Sequence, residues 1–172
     1  MIVGLITPNE SKIYLDDVEI TKEPVYKRAQ KGIGYLAQEA SVFRKLTVEE
    51  NILAVLEMTN LSKAAQREKT ESLLEEFSLT HVRKNMGGVL SGGERRRTEI
   101  ARALAVDPDL LILDEATSSV DPETEATIQE SLKKLMEGRT SLIIAHRLSN
   151  ILDVDEIVVM KQGAIIERGS NL

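Results

Sequence analysis

The 172-residue sequence contains no cysteine and no tryptophan, and only two phenylalanines, three tyrosines and four prolines. Without cysteine there are no disulfides, no thiolate metal ligands and no thiol nucleophile, a composition that fits the cytosol. No apolar run approaches the roughly 20 residues that span a bilayer. The opening Met1-Ile2-Val3-Gly4-Leu5-Ile6 lacks a basic leader and is too short for a signal peptide, so work at a membrane passes through a partner, without direct membrane insertion. Positive charge is short too: 22 Lys and Arg stand against 28 Asp and Glu, for a net charge of −6, which leaves no footprint for nucleic acid. The single basic cluster, Arg95-Arg96-Arg97, reads as a solvated or subunit-facing helix surface. The phosphate-binding loop G-x-x-x-x-G-K-S/T has no match; Gly87 to Gly92 has the spacing, but Gly93 follows where lysine is needed.

What is present suits one soluble domain, large enough to bury about 70% of its unfolded surface. Two stretches organise it. In Leu90-Ser91-Gly92-Gly93-Glu94, Ser91 caps a helix that begins at Gly92, and Glu94, three residues on, closes a capping box. Two glycines in the first turn let backbone N–H groups approach a ligand, and the helix dipole adds positive potential, so this tip suits phosphate. One helix later, the apolar run Leu110 to Leu113 reads as a buried parallel strand that delivers Asp114 and Glu115 at its carboxyl end. Open α/β sheets place their chemistry at that edge.

In chain order, Met1 to Ile6 is apolar with no start signal and reads as the tail of an element that begins upstream. Ile13, Leu15, Val18 and Ile20 alternate as a half-buried strand or a pair of short strands, and Pro24 opens a short helix to about Lys31. Gly32 to Gln38 reads as a strand ending in a polar residue. Thr47-Val48-Glu49-Glu50 is a second capping box, opening a helix with Ile52, Leu53, Val55 and Leu56 buried; Ser62 to Phe77 gives another helix, with Leu73, Leu74 and Phe77 as its stripe. Asp121 and Pro122 start a helix that stops near Gly138, Thr140 to Ala145 is a strand with His146 at its end, and residues 157–160 and 164–167 form a hairpin around Lys161-Gln162-Gly163.

These motifs, in this order and over essentially the whole chain, resemble the ATP-binding cassette (ABC) ATPase family, whose signature is LSGG and whose Walker B motif is four apolar residues followed by Asp-Glu. The resemblance implies an α/β fold of the P-loop NTPase (RecA-like) class: a mostly parallel sheet with an inserted helical subdomain, here lacking its N-terminal strands and P-loop. The core is expected at residues 1–42 and 95–172, and the helical subdomain with the signature at 43–94. Residues 1–105 resemble the lipopolysaccharide-export ATPase branch, and residues 106–172 the exporter branch in which membrane and ATPase domains share a chain. The expectation for residues 1–5 is a start inside the P-loop helix.

The resemblance also implies roles for residues. Glu115 polarises the attacking water, His146 hydrogen-bonds the γ-phosphate, and Gln38 senses metal and water. Asp114, with Gln38, serves Mg²⁺. Ser91, Gly92 and Gly93 contact ATP held by a second ATPase subunit in a head-to-tail dimer, and Asp121 lies in the loop that crosses that interface. A membrane-spanning transporter subunit is expected to dock near Val42–Leu46, which would place the protein in the cytoplasm, peripheral to the inner membrane. The implied function is coupling ATP hydrolysis to transport, weak or absent in this chain alone because the backbone nest and lysine of the P-loop supply most of the grip on the triphosphate. Two alternatives stand beside it: a non-catalytic fragment or engineered hybrid scaffold of the same fold, and a DNA-repair-type ABC ATPase. Against the latter, only residues 39–90 separate Gln38 from Ser91, with no heptads and no cysteine.

Overall fold

A computed structural model describes residues 1–114, 122–145 and 154–170, with the backbone alone for 122–127. A two-stranded antiparallel ribbon, β1 (Tyr14–Leu15) and β2 (Val18–Glu19), is followed by α1 (Val25–Gln30) and β3 (Ile33–Leu36). Then come α2 (Val48–Leu56), α3 (Lys63–Glu76), two short 3-10 turns and α4 (Gly92–Leu104). The chain continues through β4 (Leu110–Asp114), α5 (Pro122–Met136), β5 (Thr140–Ile144) and a hairpin of β6 (Ile157–Lys161) and β7 (Ala164–Gly169).

Strands β3, β4 and β5 form a parallel sheet in that order, with Leu36 opposite Leu113 and Leu113 opposite Ile143. Alternate residues of β4 face opposite sides, as the pleat requires. Leu111 and Leu113 join Ile100 and Leu104 of α4 and Ile128 and Leu132 of α5 in the main core. Ile112 points the other way, onto Ile20 and Ile33 beneath the β1–β2 ribbon. Each such fully buried aliphatic side chain stabilises by about 1.5–3 kcal/mol relative to exposure.

The helix starts are those the sequence specifies. Thr47 Oγ1 accepts from the Glu50 N–H at 3.2 Å while Glu50 Oε2 accepts from the Thr47 N–H at 2.7 Å, a complete capping box. Ser62 caps α3 through the Ala65 N–H. Ile52 and Leu56 are buried as expected, but Leu53 and Val55 are only half-buried, because α2 turns one stripe inward rather than two.

Residues 1–6 depart from the expected helix. They form a turn, closed by the Gly4 N–H to the Met1 carbonyl at 2.9 Å. The buried Arg28 fixes them, donating to the carbonyls of Met1, Ile2, Thr21 and Glu23. The β6–β7 turn places Gln162 and Gly163 at positive φ, the two-residue geometry that suits the right-handed twist of a hairpin. Among the described residues, no helix is long and apolar enough to cross a membrane.

Candidate nucleotide-handling site

The start of α4 has the geometry the Ser-Gly-Gly sequence promises. Ser91 Oγ accepts from the Glu94 N–H at 3.3 Å, and Glu94 Oε2 accepts from both the Ser91 N–H and the Ser91 hydroxyl at 2.8 Å. Those bonds from Ser91 hold the Glu94 carboxyl below its usual range, so it stays ionised at the tip. Ser91 and Gly92 are exposed and Gly93 is buried. Gly92 and Gly93 occupy the first two helical positions, whose N–H groups have no intrahelical partner. The result is a capped helix start at the positive end of a 13-residue helix, with Ser91 and Gly92 at the surface and Gly93 beneath them.

Asp114 ends β4, and the parallel register brings the ends of β3 and β5 to the same edge. The Tyr35 hydroxyl donates to Asp114 Oδ2 at 3.2 Å. Burial, then the bond to Asp114, pushes the Tyr35 phenol up, so it remains a proton donor. Gln38 lies two residues past the end of β3, at that same edge. Asp114 and the strand that leads to Gln38 therefore end at one edge of the sheet, whereas Ser91, Gly92 and Gly93 stand on a separate element. Glu115, Asp121 and His146 lie outside the described residues.

Asp114 is one carboxylate at this edge, with one oxygen beyond that held by Tyr35, and among the described residues no group of three or more His, Cys, Asp or Glu is placed to hold a metal ion. Mg²⁺ is usually held by one or two carboxylates plus phosphates and water, not by an all-protein cage. Tyr35 does not stand out in the sequence; its one available signal is a hydroxyl one residue before the end of an otherwise apolar strand.

Between Gln38 and α2 the chain has no regular structure, so its backbone groups need other partners. Asn51, fully buried on α2, accepts from the Phe43 N–H at 2.8 Å and donates to the carbonyls of Phe43, Leu46 and Thr47. Gly87 packs so closely that a Cβ there would lie 2.7 Å from the Phe43 carbonyl oxygen. From α4, Arg102 stacks on the Phe43 ring at 4.5 Å and donates to the Ser41 carbonyl and hydroxyl.

Two sequence expectations change here. Val42, included in the docking segment Val42–Leu46, is only 8% exposed because it packs inward; Phe43, Arg44 and Lys45 carry the exposed face and Leu46 is half-buried. Arg96, read with Arg95 and Arg97 as a solvated or subunit-facing helix surface, is buried within the chain and pairs with Glu99 at 3.0 Å.

Comparison with known proteins agrees with this architecture. The profile of the ABC transporter family matches residues 1–118. The lipopolysaccharide export system ATP-binding protein LptB of Haemophilus influenzae is 46% identical over 173 residues, covering 99% of this chain and 72% of its own. An ATP-binding cassette of an ABC transporter, MJ1267 in its ADP conformation, superposes with a TM-score of 0.79 at 29% identity over 98% of this chain and 72% of that one. The dimeric post-hydrolysis structure of the cassette MJ0796, bound to ADP and Pi, gives a TM-score of 0.84 at 25% identity over 98% of this chain and 76% of that one. A parallel sheet edge carrying an acid, a reciprocally capped signature helix and these likenesses place the chain in the ABC transporter family, as an LptB-like ATPase domain with the P-loop NTPase fold.

Proposed function

We propose that this chain supplies the signature half of a composite ATP site and belongs to a transporter that couples ATP hydrolysis to export. The observation that carries this reading is the reciprocally capped tip at Ser91–Glu94, with Ser91 and Gly92 exposed. In the assembly, Ser91, Gly92 and Gly93 face the triphosphate of a second ATPase subunit arranged head to tail, as support for which the cassette MJ0796 forms a dimer. ATP and Mg²⁺ are the cofactors, and Mg²⁺ neutralises charge on the β- and γ-phosphates when bound. Asp114 holds the metal side of the pocket, with its carboxylate oriented by Tyr35. Gln38 joins it at the sheet edge, Glu115 orients water, His146 hydrogen-bonds the γ-phosphate, and Asp121 borders the neighbouring subunit.

The sequence has no G-x-x-x-x-G-K-S/T motif, so the 172-residue chain alone binds ATP weakly and hydrolyses little or none. The core is residues 1–42 and 95–172, with 43–94 as the helical subdomain. A membrane-spanning subunit docks on Phe43, Arg44 and Lys45. The docked domain sits at the cytoplasmic face of the inner membrane, a reading supported by likeness to LptB, an ATP-binding protein of a lipopolysaccharide export system.

The test is complementation. An intact ABC ATPase subunit that carries its own P-loop, but whose signature serine is replaced by arginine, is mixed with this chain. The wild-type chain restores ATPase activity at least tenfold, and Ser91→Arg in this chain abolishes the gain. Equal activity with both chains, or none with either, would defeat the reading.

A further inference from the structure

The signature helix and the Gln38 segment are joined by side chains that the ATPase reading does not use. Glu99, at the middle of α4, is only 3% exposed. Its Oε1 accepts from the Ser41 N–H at 2.6 Å and the Val42 N–H at 3.1 Å, and its Oε2 accepts from Arg96 at 3.0 Å. Arg96 in turn donates to the Ala37 carbonyl at 2.8 Å. One residue before Gln38 and three residues after it are thus both fastened to the same helix.

Burying a carboxylate is costly unless several donors face it, and an apolar side chain would fill this helix position more cheaply. Here the donors are two backbone amides of an irregular segment and one guanidinium. The bonds are charge-assisted and so are stiffer than a neutral contact. Arg102, one turn on, adds bonds to Ser41 and the stack on Phe43. Burial draws the Arg102 pKa down while Glu99 opposes that, and the guanidinium keeps its charge.

We propose that Glu99 is a positioning residue: through Arg96 and the amides of Ser41 and Val42, it moves residues 37–43 as one body with the Ser91–Gly93 tip. Displacement of the tip when it engages a nucleotide then reaches Gln38 and the exposed Phe43 face together. The inference rests on the reading of the tip and of Gln38 given above, and names the residue that links them.

Residue-by-residue amide exchange by NMR tests it. In the 172-residue chain, Glu99→Ala raises exchange at Ser41 and Val42 about tenfold to a hundredfold, the factor for losing a hydrogen bond to a charged group. Leu111 and Leu113, in the sheet, keep their rates. Glu99→Gln retains an acceptor oxygen and restores part of the protection, whereas Glu99→Leu, which fills the space but offers no acceptor, restores none. Glu99→Asp keeps the charge but withdraws it from the loop, and serves as the test if Glu99→Ala does not fold.

With the complementing subunit and ATP added, slowed exchange at residues 91–94 is accompanied by slowed exchange at 41–43 in wild type and not in Glu99→Ala. Unchanged Ser41 and Val42 rates in folded Glu99→Ala and Glu99→Asp would overturn the proposal. Slowing at 91–94 that stops short of 41–43 in the wild type would do the same. No slowing at 91–94 would count against the composite site alone, and the isolated-chain rates would still decide the role of Glu99.

Discussion

Asn51 shows how one side chain can stand in for a missing strand. Its carboxamide serves both the N–H and the carbonyl of Phe43 and two further carbonyls, while its carbon atoms are sealed within the core at 0% exposure. Asn51→Ala leaves the Phe43 N–H without its acceptor, whereas the carbonyls of Phe43, Leu46 and Thr47 keep the backbone N–H groups of Leu46, Gly87 and Asn51. One unsatisfied buried donor costs about 1–3 kcal/mol, so we expect a net loss in that range, read as a lower midpoint with unchanged slope in urea unfolding. A loss below about 0.5 kcal/mol would show that the segment finds other partners. The same residue explains why the exposed Phe43 face holds one shape: its backbone is fixed from behind.

At the scale of elements, α2, α3 and the turn after them are tied by charge. Glu49 in the first turn of α2 meets Arg83 Nε at 3.3 Å and Lys84 Nζ at 2.6 Å, and Arg83 reaches both oxygens of Glu71 on α3 at 2.9 and 2.5 Å. Bonds from Arg83, with Lys84, hold the Glu49 carboxyl below its ordinary range, and Arg83 does the same for Glu71. The unfolded chain takes up these protons near pH 4.3, before the folded chain does, so stability contributed above that pH is lost as pH falls. The melting temperature should hold steady from pH 7 to about 5.5 and drop below about 4.5, with a shallower drop in Glu49→Gln/Glu71→Gln. Circular dichroism melts across pH 3–7 measure both slopes. Parallel slopes would remove the network from the account, and added salt should weaken its share because Glu71 is half exposed.

These elements were largely legible from local signals. Thr47, Ser62 and Ser91 mark helix starts through caps that need no tertiary contact, and the short apolar run Leu110 to Leu113 reads as a buried strand. Arg96 was not legible, because its charge argues for the surface while its position argues for the core. Gly93, Arg96, Ile100 and Leu104 recur at helical spacing on one stripe, and that stripe is the buried one. The spacing, not the charge, decided. Tyr35 and Glu99 escaped for a related reason: their partners, Asp114 and the Ser41–Val42 amides, lie 79 residues and about 58 residues away along the chain, so no local pattern records them.

For the molecule as a whole, stability is concentrated where the layers meet. Leu111, Leu113, Ile100 and Ile128 are at most 1% exposed, with helices covering one face of the sheet and the β1–β2 ribbon the other. The β6–β7 hairpin is built otherwise. Val158, Val159, Met160, Ile165 and Ile166 are all at least 40% exposed, and among the described residues each strand of the hairpin pairs only with the other. A two-stranded hairpin is marginal in water on its own, because it orders its backbone without burying a face. Amides of β6 and β7 should therefore exchange by local opening at least about a thousandfold faster than those of Leu111 and Leu113, which open only with the whole fold. Denaturant should speed the core amides steeply and leave the hairpin amides nearly flat, since little surface is exposed when the hairpin opens. Equal protection and equal denaturant dependence in both would mean that the hairpin is covered in solution, and that its apolar residues belong to the same cooperative unit as the sheet.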